Sequence, residues 1–141
     1  MATAVAPTSE IPQPLAITMG DAAGIGPEII ALAMRQEPQL MRGCFVAGDV
    51  ETLRRAASLV APPGSPAWPI AVITAPEQVH NLPPRCIGVL QVGDPLPVVP
   101  WGQVSKQAGA FAGQCVLWAA DAALRGHIGA LVTAPLHKEA L

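Results

Sequence analysis

The residues of this chain best suited to chemistry sit in two short stretches, one near each end. The first is Gly20-Asp21-Ala22-Ala23-Gly24-Ile25-Gly26-Pro27-Glu28, where three glycines and an acid follow the apolar run Leu15-Ala16-Ile17-Thr18. Glycine serves where the backbone turns at positive φ or where a ligand approaches closely, and Pro27 suits a first helical turn, where its missing N–H costs nothing. Such a loop presents free N–H groups from Gly24 to Glu28 at a helix start, at the carboxyl end of a strand, where α/β sheets hold anionic ligand groups. The spacing G-x-x-x-G-x-G matches neither G-x-G-x-x-G nor G-x-x-x-x-G-K-[ST], so it describes a tight strand-to-helix turn equally well. Asp21 either offers an acceptor to a ligand or caps the helix and accepts backbone N–H groups.

The second stretch is Thr133-Ala134-Pro135-Leu136-His137-Lys138, which follows the apolar run Ala130-Leu131-Val132. A binding role at the carboxyl end of a strand suits Thr133, His137 and Lys138, and an exposed lysine beside a capping histidine is equally ordinary there. His80, in an expected loop, and His127, just past an expected helix end, stand alone and are not read as ligands. Cys44, Cys86 and Cys115 are odd in number and far apart, which argues against a disulfide framework or a C-x-x-C knuckle and leaves them as small buried hydrophobes. There is no G-x-S-x-G elbow and no H-E-x-x-H pair, so hydrolase and self-contained metalloenzyme chemistry have no support.

These stretches need a scaffold, and composition allows one. The chain has 141 residues, 51% apolar and 13% charged, enough for one substantial core and too few charges for a disordered chain. A net charge of -2 without basic runs gives no footprint for nucleic acid or an anionic membrane. No apolar run approaches the roughly 20 residues of a bilayer span, and no signal peptide opens the chain, so the cytoplasm is expected.

Residues 1–13, rich in Ala, Thr and Pro, are expected to form a flexible tail before a first strand at Leu15 to Thr18. A helix follows from Pro27 to about Arg35, with Ile29, Ile30, Ala33 and Met34 as its apolar face. Cys44 to Ala47 reads as a second strand, and Asp49 as the cap of a helix from Val50 to Val60. Ile70 to Thr74 and Ile87 to Val92 are further strands, and the prolines of Gly93 to Gly102 suggest an extended surface excursion. The longest helix starts at Ser105 and ends at Gly126, its many Ala and Gly residues allowing close packing on a sheet. Gly129 to Thr133 is then expected to be a buried parallel strand. Alternating strands and helices imply an α/β fold with a mainly parallel sheet and helices on both faces. Because the last crossover helix is only starting at Leu141, residues 14–141 are expected to be the N-terminal part of a longer, truncated domain.

Both stretches resemble one family. Gly20 to Glu28 is similar to G-D-P-A-G-I-G-P-E of the 4-hydroxythreonine-4-phosphate dehydrogenases of vitamin B6 biosynthesis, departing only at Ala22, where the family carries proline. Ala130 to Leu141 resembles that family's apolar strand followed by T-A-P-(I/L)-(N/H)-K-E-A-L. A related loop, G-D-G-I-G-P-E, lies beside the cofactor cleft of isocitrate and isopropylmalate dehydrogenases, whose fold the family shares.

The resemblance implies a homodimeric enzyme that oxidises 4-phosphohydroxy-L-threonine with NAD or NADP and a divalent metal (zinc, magnesium or cobalt), and then decarboxylates the product to 3-amino-1-hydroxyacetone phosphate. The metal lowers the pKa of the 3-hydroxyl and polarises the nascent ketone. The family's metal-binding histidines lie beyond the second motif, so no residue here is a candidate metal ligand and none is assigned the chemical step. Asp21, Gly24, Gly26, Thr133, His137 and Lys138 are the candidates for cofactor binding or substrate positioning. Two alternatives stay open: a related dehydrogenase of a phosphorylated sugar acid or an aromatic cis-dihydrodiol, and a non-catalytic fragment or interaction module.

Overall fold

The structure, a computed structural model, describes residues 11–141. The first ten residues of the expected tail lie outside that range. Gln13, within it, donates through Nε2 to the Gly126 carbonyl (3.1 Å).

The described chain runs β1 (Leu15–Thr18), α1 (Gly26–Gln36), β2 (Cys44–Gly48), α2 (Val50–Leu59), β3 (Ile70–Ile73), a 3₁₀ turn (Pro76–Asn81), β4 (Ile87–Gln91), α3 (Lys106–Leu124) and β5 (Ala130–Thr133). All strand pairs are parallel, in the order β3-β4-β2-β1-β5. The chain steps one way from β1 through α1 and α2, and the other way from β4 through α3 to β5. With right-handed crossovers, those opposite steps put α1 and α2 on one face and α3 on the other. The contacts agree: α1 packs on α2, whereas α3 packs on β1, β2 and β5. The fold is the expected α/β sandwich with helices on both faces.

The core is mainly aliphatic. Phe45 of β2 meets Trp118 of α3 edge to face, ring centres 6.1 Å apart. The small residues of α3 do bring it close to its neighbours: Ala108, Gly109, Ala112, Ala119 and Ala122 are buried, and a Cβ on Gly109 would collide with the backbone of Ala140. Among the described residues no helix is long and apolar enough to cross a membrane.

Three expectations need correction. The buried stripe of α1 is Pro27, Ile30, Ala31 and Met34, while Ile29 is 46% exposed. This helix is apolar nearly all round, and contact with α2 selects the face. The strand β5 is parallel, as expected, but not buried, because it is the outer strand of the sheet and pairs only with β1. Of the three thiols only Cys115 is fully buried; Cys44 and Cys86 are partly exposed, and Cys86 donates to the Pro83 carbonyl (3.0 Å).

Candidate functional site

Because β1 and β5 are parallel neighbours in register from Leu15–Ala130 to Thr18–Thr133, the chain leaves both strands at the same edge of the sheet. The two sequence motifs therefore meet. Asp21 N–H donates to the Pro135 carbonyl (3.1 Å), and Ala134 N–H donates to the Thr18 carbonyl (3.1 Å). The Thr18 hydroxyl reaches the Val132 carbonyl at 3.5 Å.

The three glycines of the loop do different jobs. Gly20 has φ of +76°, and a Cβ there would stand 2.5 Å from the Pro135 oxygen, so the junction itself requires glycine. At Gly26 a Cβ would stand 2.6 Å from the Met19 oxygen, because the helix start lies directly on the strand end. Gly24 has neither constraint: its φ is ordinary and a Cβ would meet nothing closer than 3.5 Å. Neither the backbone nor its neighbours therefore require glycine at that position.

Asp21 is 5% exposed and accepts from Ala23 N–H through Oδ1 (2.9 Å), closing a local turn. It does not cap α1, whose N-cap, Ile25, has no side-chain hydrogen bond. Not all the expected N–H groups are free, since Gly24 N–H donates to the Asp21 carbonyl (3.0 Å) and Pro27 has none. Those of Ile25, Gly26 and Glu28 find no acceptor among the described residues. The Glu28 carboxylate in the first turn already meets part of the positive end of the helix dipole.

Thr133, His137 and Lys138 are exposed at this edge. The His137 carbonyl accepts from Ala140 N–H (3.0 Å), which folds the segment back toward α3. Thr133 adjoins the loop through Ala134 and Pro135. Lys138 makes no ion pair among the described residues.

Sequence reasoning found Asp49 as a helix cap but missed the network around it. Asp49 is 1% exposed. Its Oδ2 accepts from Thr52 N–H (2.9 Å) and the Thr52 hydroxyl (2.7 Å), and its Oδ1 from Leu96 N–H (2.9 Å) and Gln91 Nε2 (3.2 Å). Burial, followed by the charge of Asp49, pushes the Cys115 thiol up to about 12. Arg55 was missed as well. Its guanidinium lies 4.4 Å over the Trp101 ring and donates to the carbonyls of Val99 (3.3 Å) and Ala22 (3.4 Å). With the Gly102 N–H bond to Ala23 (2.7 Å), it ties the proline-rich excursion to the glycine loop. No local spacing signals a pairing between residues this far apart.

Comparison with known proteins follows the same edge. The family described as pyridoxal phosphate biosynthetic protein PdxA matches residues 40–141, which include the second motif. The chain belongs to the PdxA family. A D-threonate 4-phosphate dehydrogenase of Bordetella bronchiseptica is 41% identical over 135 residues, 94% of this chain and 37% of that protein. Coverage that wide takes in the glycine loop as well. A 4-hydroxythreonine-4-phosphate dehydrogenase of Klebsiella pneumoniae superposes with a TM-score of 0.77 at 36% identity, over 91% of this chain and 38% of that one. A terephthalate 1,2-cis-dihydrodiol dehydrogenase of Burkholderia xenovorans superposes with a TM-score of 0.64 at 25% identity, over 92% and 36%. The chain thus spans under two fifths of the length of these PdxA-like proteins.

Proposed function

We propose that this chain forms one wall of the cleft of an NAD(P)-dependent dehydrogenase whose substrate is a four-carbon acid phosphorylated at C4. The observation that carries the reading is the hydrogen-bonded junction of the glycine loop with the turn after β5, Asp21 N–H to the Pro135 carbonyl, in a chain of the PdxA family. Two substrates fit, 4-phosphohydroxy-L-threonine and D-threonate 4-phosphate, which share the carboxylate, the C3 hydroxyl and the phosphate and differ at C2. The 41% identity of the Bordetella relative favours the second, a phosphorylated sugar acid, and the Klebsiella structure favours the first.

In this reading the N–H groups of Ile25, Gly26 and Glu28 and the open side of Gly24 receive a polar group of cofactor or substrate, and Lys138 and His137 face its anionic end. A nicotinamide bound in the cleft would supply the acceptor for the hydride of C3, whose hydroxyl would give up its proton. The resulting ketone is β to the carboxylate and loses carbon dioxide. Asp21 holds the loop in shape through Ala23, and Arg55 holds the excursion against it. A divalent metal does not fit the residues present: among the described residues no three His, Cys, Asp or Glu converge, and His80, His127 and His137 lie apart. The same reading has the parent homodimeric and in the cytoplasm.

The test is the longer parent protein, purified and assayed for NAD or NADP reduction with both substrates. Turnover of at least one, with the kcat/KM ratio identifying which, is expected. No reduction with either, in a folded parent, overturns the proposal. The 141-residue chain alone is expected to turn over neither, because holding the reacting carbon against the nicotinamide accounts for roughly 7 to 11 kcal/mol of such a barrier.

A further inference from the structure

The edge of the sheet opposite the glycine loop carries a cavity of about 830 Å³. Its walls come from the end of α1 and the turn into β2 (Arg35, Arg42), the segment before β3 (Trp68), and the 3₁₀ turn with its link to β4 (His80, Leu82, Arg85). The volume lies within the roughly 300–1,000 Å³ of small-molecule sites, and the mixture of an apolar floor with a few cations is typical of them.

The charge is one-sided. Three of the eight Lys and Arg residues line this cavity, and no Asp or Glu does, in a chain of net charge -2. Glu37 and Glu77 lie on the flanking elements without lining it, and none of the three arginines is in an ion pair among the described residues. Arg35 has an ordinary role, meeting the C-terminal end of the α1 dipole and donating to the Pro66 carbonyl (3.1 Å). Arg42 is held by Gln39 (2.7 Å). Arg85 has no such explanation. It makes no hydrogen bond among the described residues, and it is the one non-glycine residue there at positive φ, 59°. Its left-handed backbone is strained, and its guanidinium lines the cavity without a protein partner among the described residues.

We propose that this cavity is a second binding site, for a phosphorylated small molecule whose flat apolar body lies against Trp68 and whose phosphate is held by Arg42 and Arg85. Guanidinium forks match phosphate oxygens in pairs, and the absence of a lining carboxylate leaves them available. The cavity opens on the opposite edge from the Asp21 junction, so its occupant does not compete with a ligand there.

Calorimetric titration with phenyl phosphate, inorganic phosphate and benzyl alcohol tests this on the 141-residue chain and on the full-length parent. Phenyl phosphate should bind both proteins, more tightly than either other probe. Arg42→Gln and Arg85→Gln should each weaken it roughly tenfold, and Arg125→Gln, on the far end of α3, should not. Arg85→Gly separates binding from folding: relief of the backbone should raise the unfolding midpoint by roughly 3 °C while the affinity falls. No binding to either protein, equal binding of benzyl alcohol or inorganic phosphate, or an affinity unmoved by the three cavity variants overturns the proposal.

Discussion

Two aspartates end neighbouring strands of one sheet and precede neighbouring helices, yet their surroundings differ. Asp49, after β2, spends its carboxylate inside the protein: it accepts four hydrogen bonds, caps α2 and ties β4 and the excursion to the helix start. Asp21, after β1, accepts one, and the helix that follows it has no side-chain cap. The first carboxylate is fully engaged within the fold. The turn at the second leaves N–H donors without acceptors among the described residues at the place where the two family motifs join.

The largest way to break this contrast is to add a methyl group at the junction. Gly20→Ala should destabilise the chain by about 3 kcal/mol or prevent folding, because it combines positive φ with a clash against Pro135. Gly24→Ala should cost under about 1 kcal/mol in thermal unfolding and lower ligand affinity in the parent instead. Equal losses of stability at Gly20 and Gly24 would mean that Gly24 has a packing role after all.

Next in size, Asp49→Ala should cost about 3 kcal/mol in denaturant unfolding, since it strands buried donors. Asp21→Ala should cost about 1 kcal/mol, the worth of a single accepted bond. If the two were equal, the difference in saturation would not be energetic.

A smaller effect concerns the thiol beside Asp49. The folded Cys115 thiol holds its proton up to about 12, whereas an unperturbed thiol loses it near 9.0. Between those values the unfolded chain binds fewer protons than the folded one, so stability falls as pH rises. Cys115→Ala should flatten that part of a pH–stability curve. Asp49→Asn should bring the thiol partly back down, which alkylation rates at alkaline pH would read.

The strands, the three long helices, the Asp49 cap and the motif positions were legible because each is a local pattern of apolar period, punctuation and cap. The burial of β5 was not, since an apolar run such as Ala130 to Val132 states what a strand can bury and not whether a neighbour covers it. The face of α1 was misjudged because Ile29 and Ile30 are equally apolar and only α2 distinguishes them. The Arg55 clamp and the Gln91 and Leu96 bonds to Asp49 join positions tens of residues apart and leave no periodic trace. Within the candidate site the donors were anticipated as a group, and the structure sorted Gly24 and Pro27 out of it.

The pairing of β1 with β5 also sets a schedule. Thr18 and Val132 are 114 positions apart. At roughly 5 to 20 residues per second of synthesis, that distance takes on the order of ten seconds. Throughout that interval β1 is an edge strand of the nascent sheet, and the glycine loop lacks the Pro135 carbonyl that accepts from Asp21 N–H. The motif made first is thus completed by a residue 114 positions downstream, since Pro135 accepts from Asp21, and a nascent chain halted before Pro135 carries the loop without that hydrogen bond.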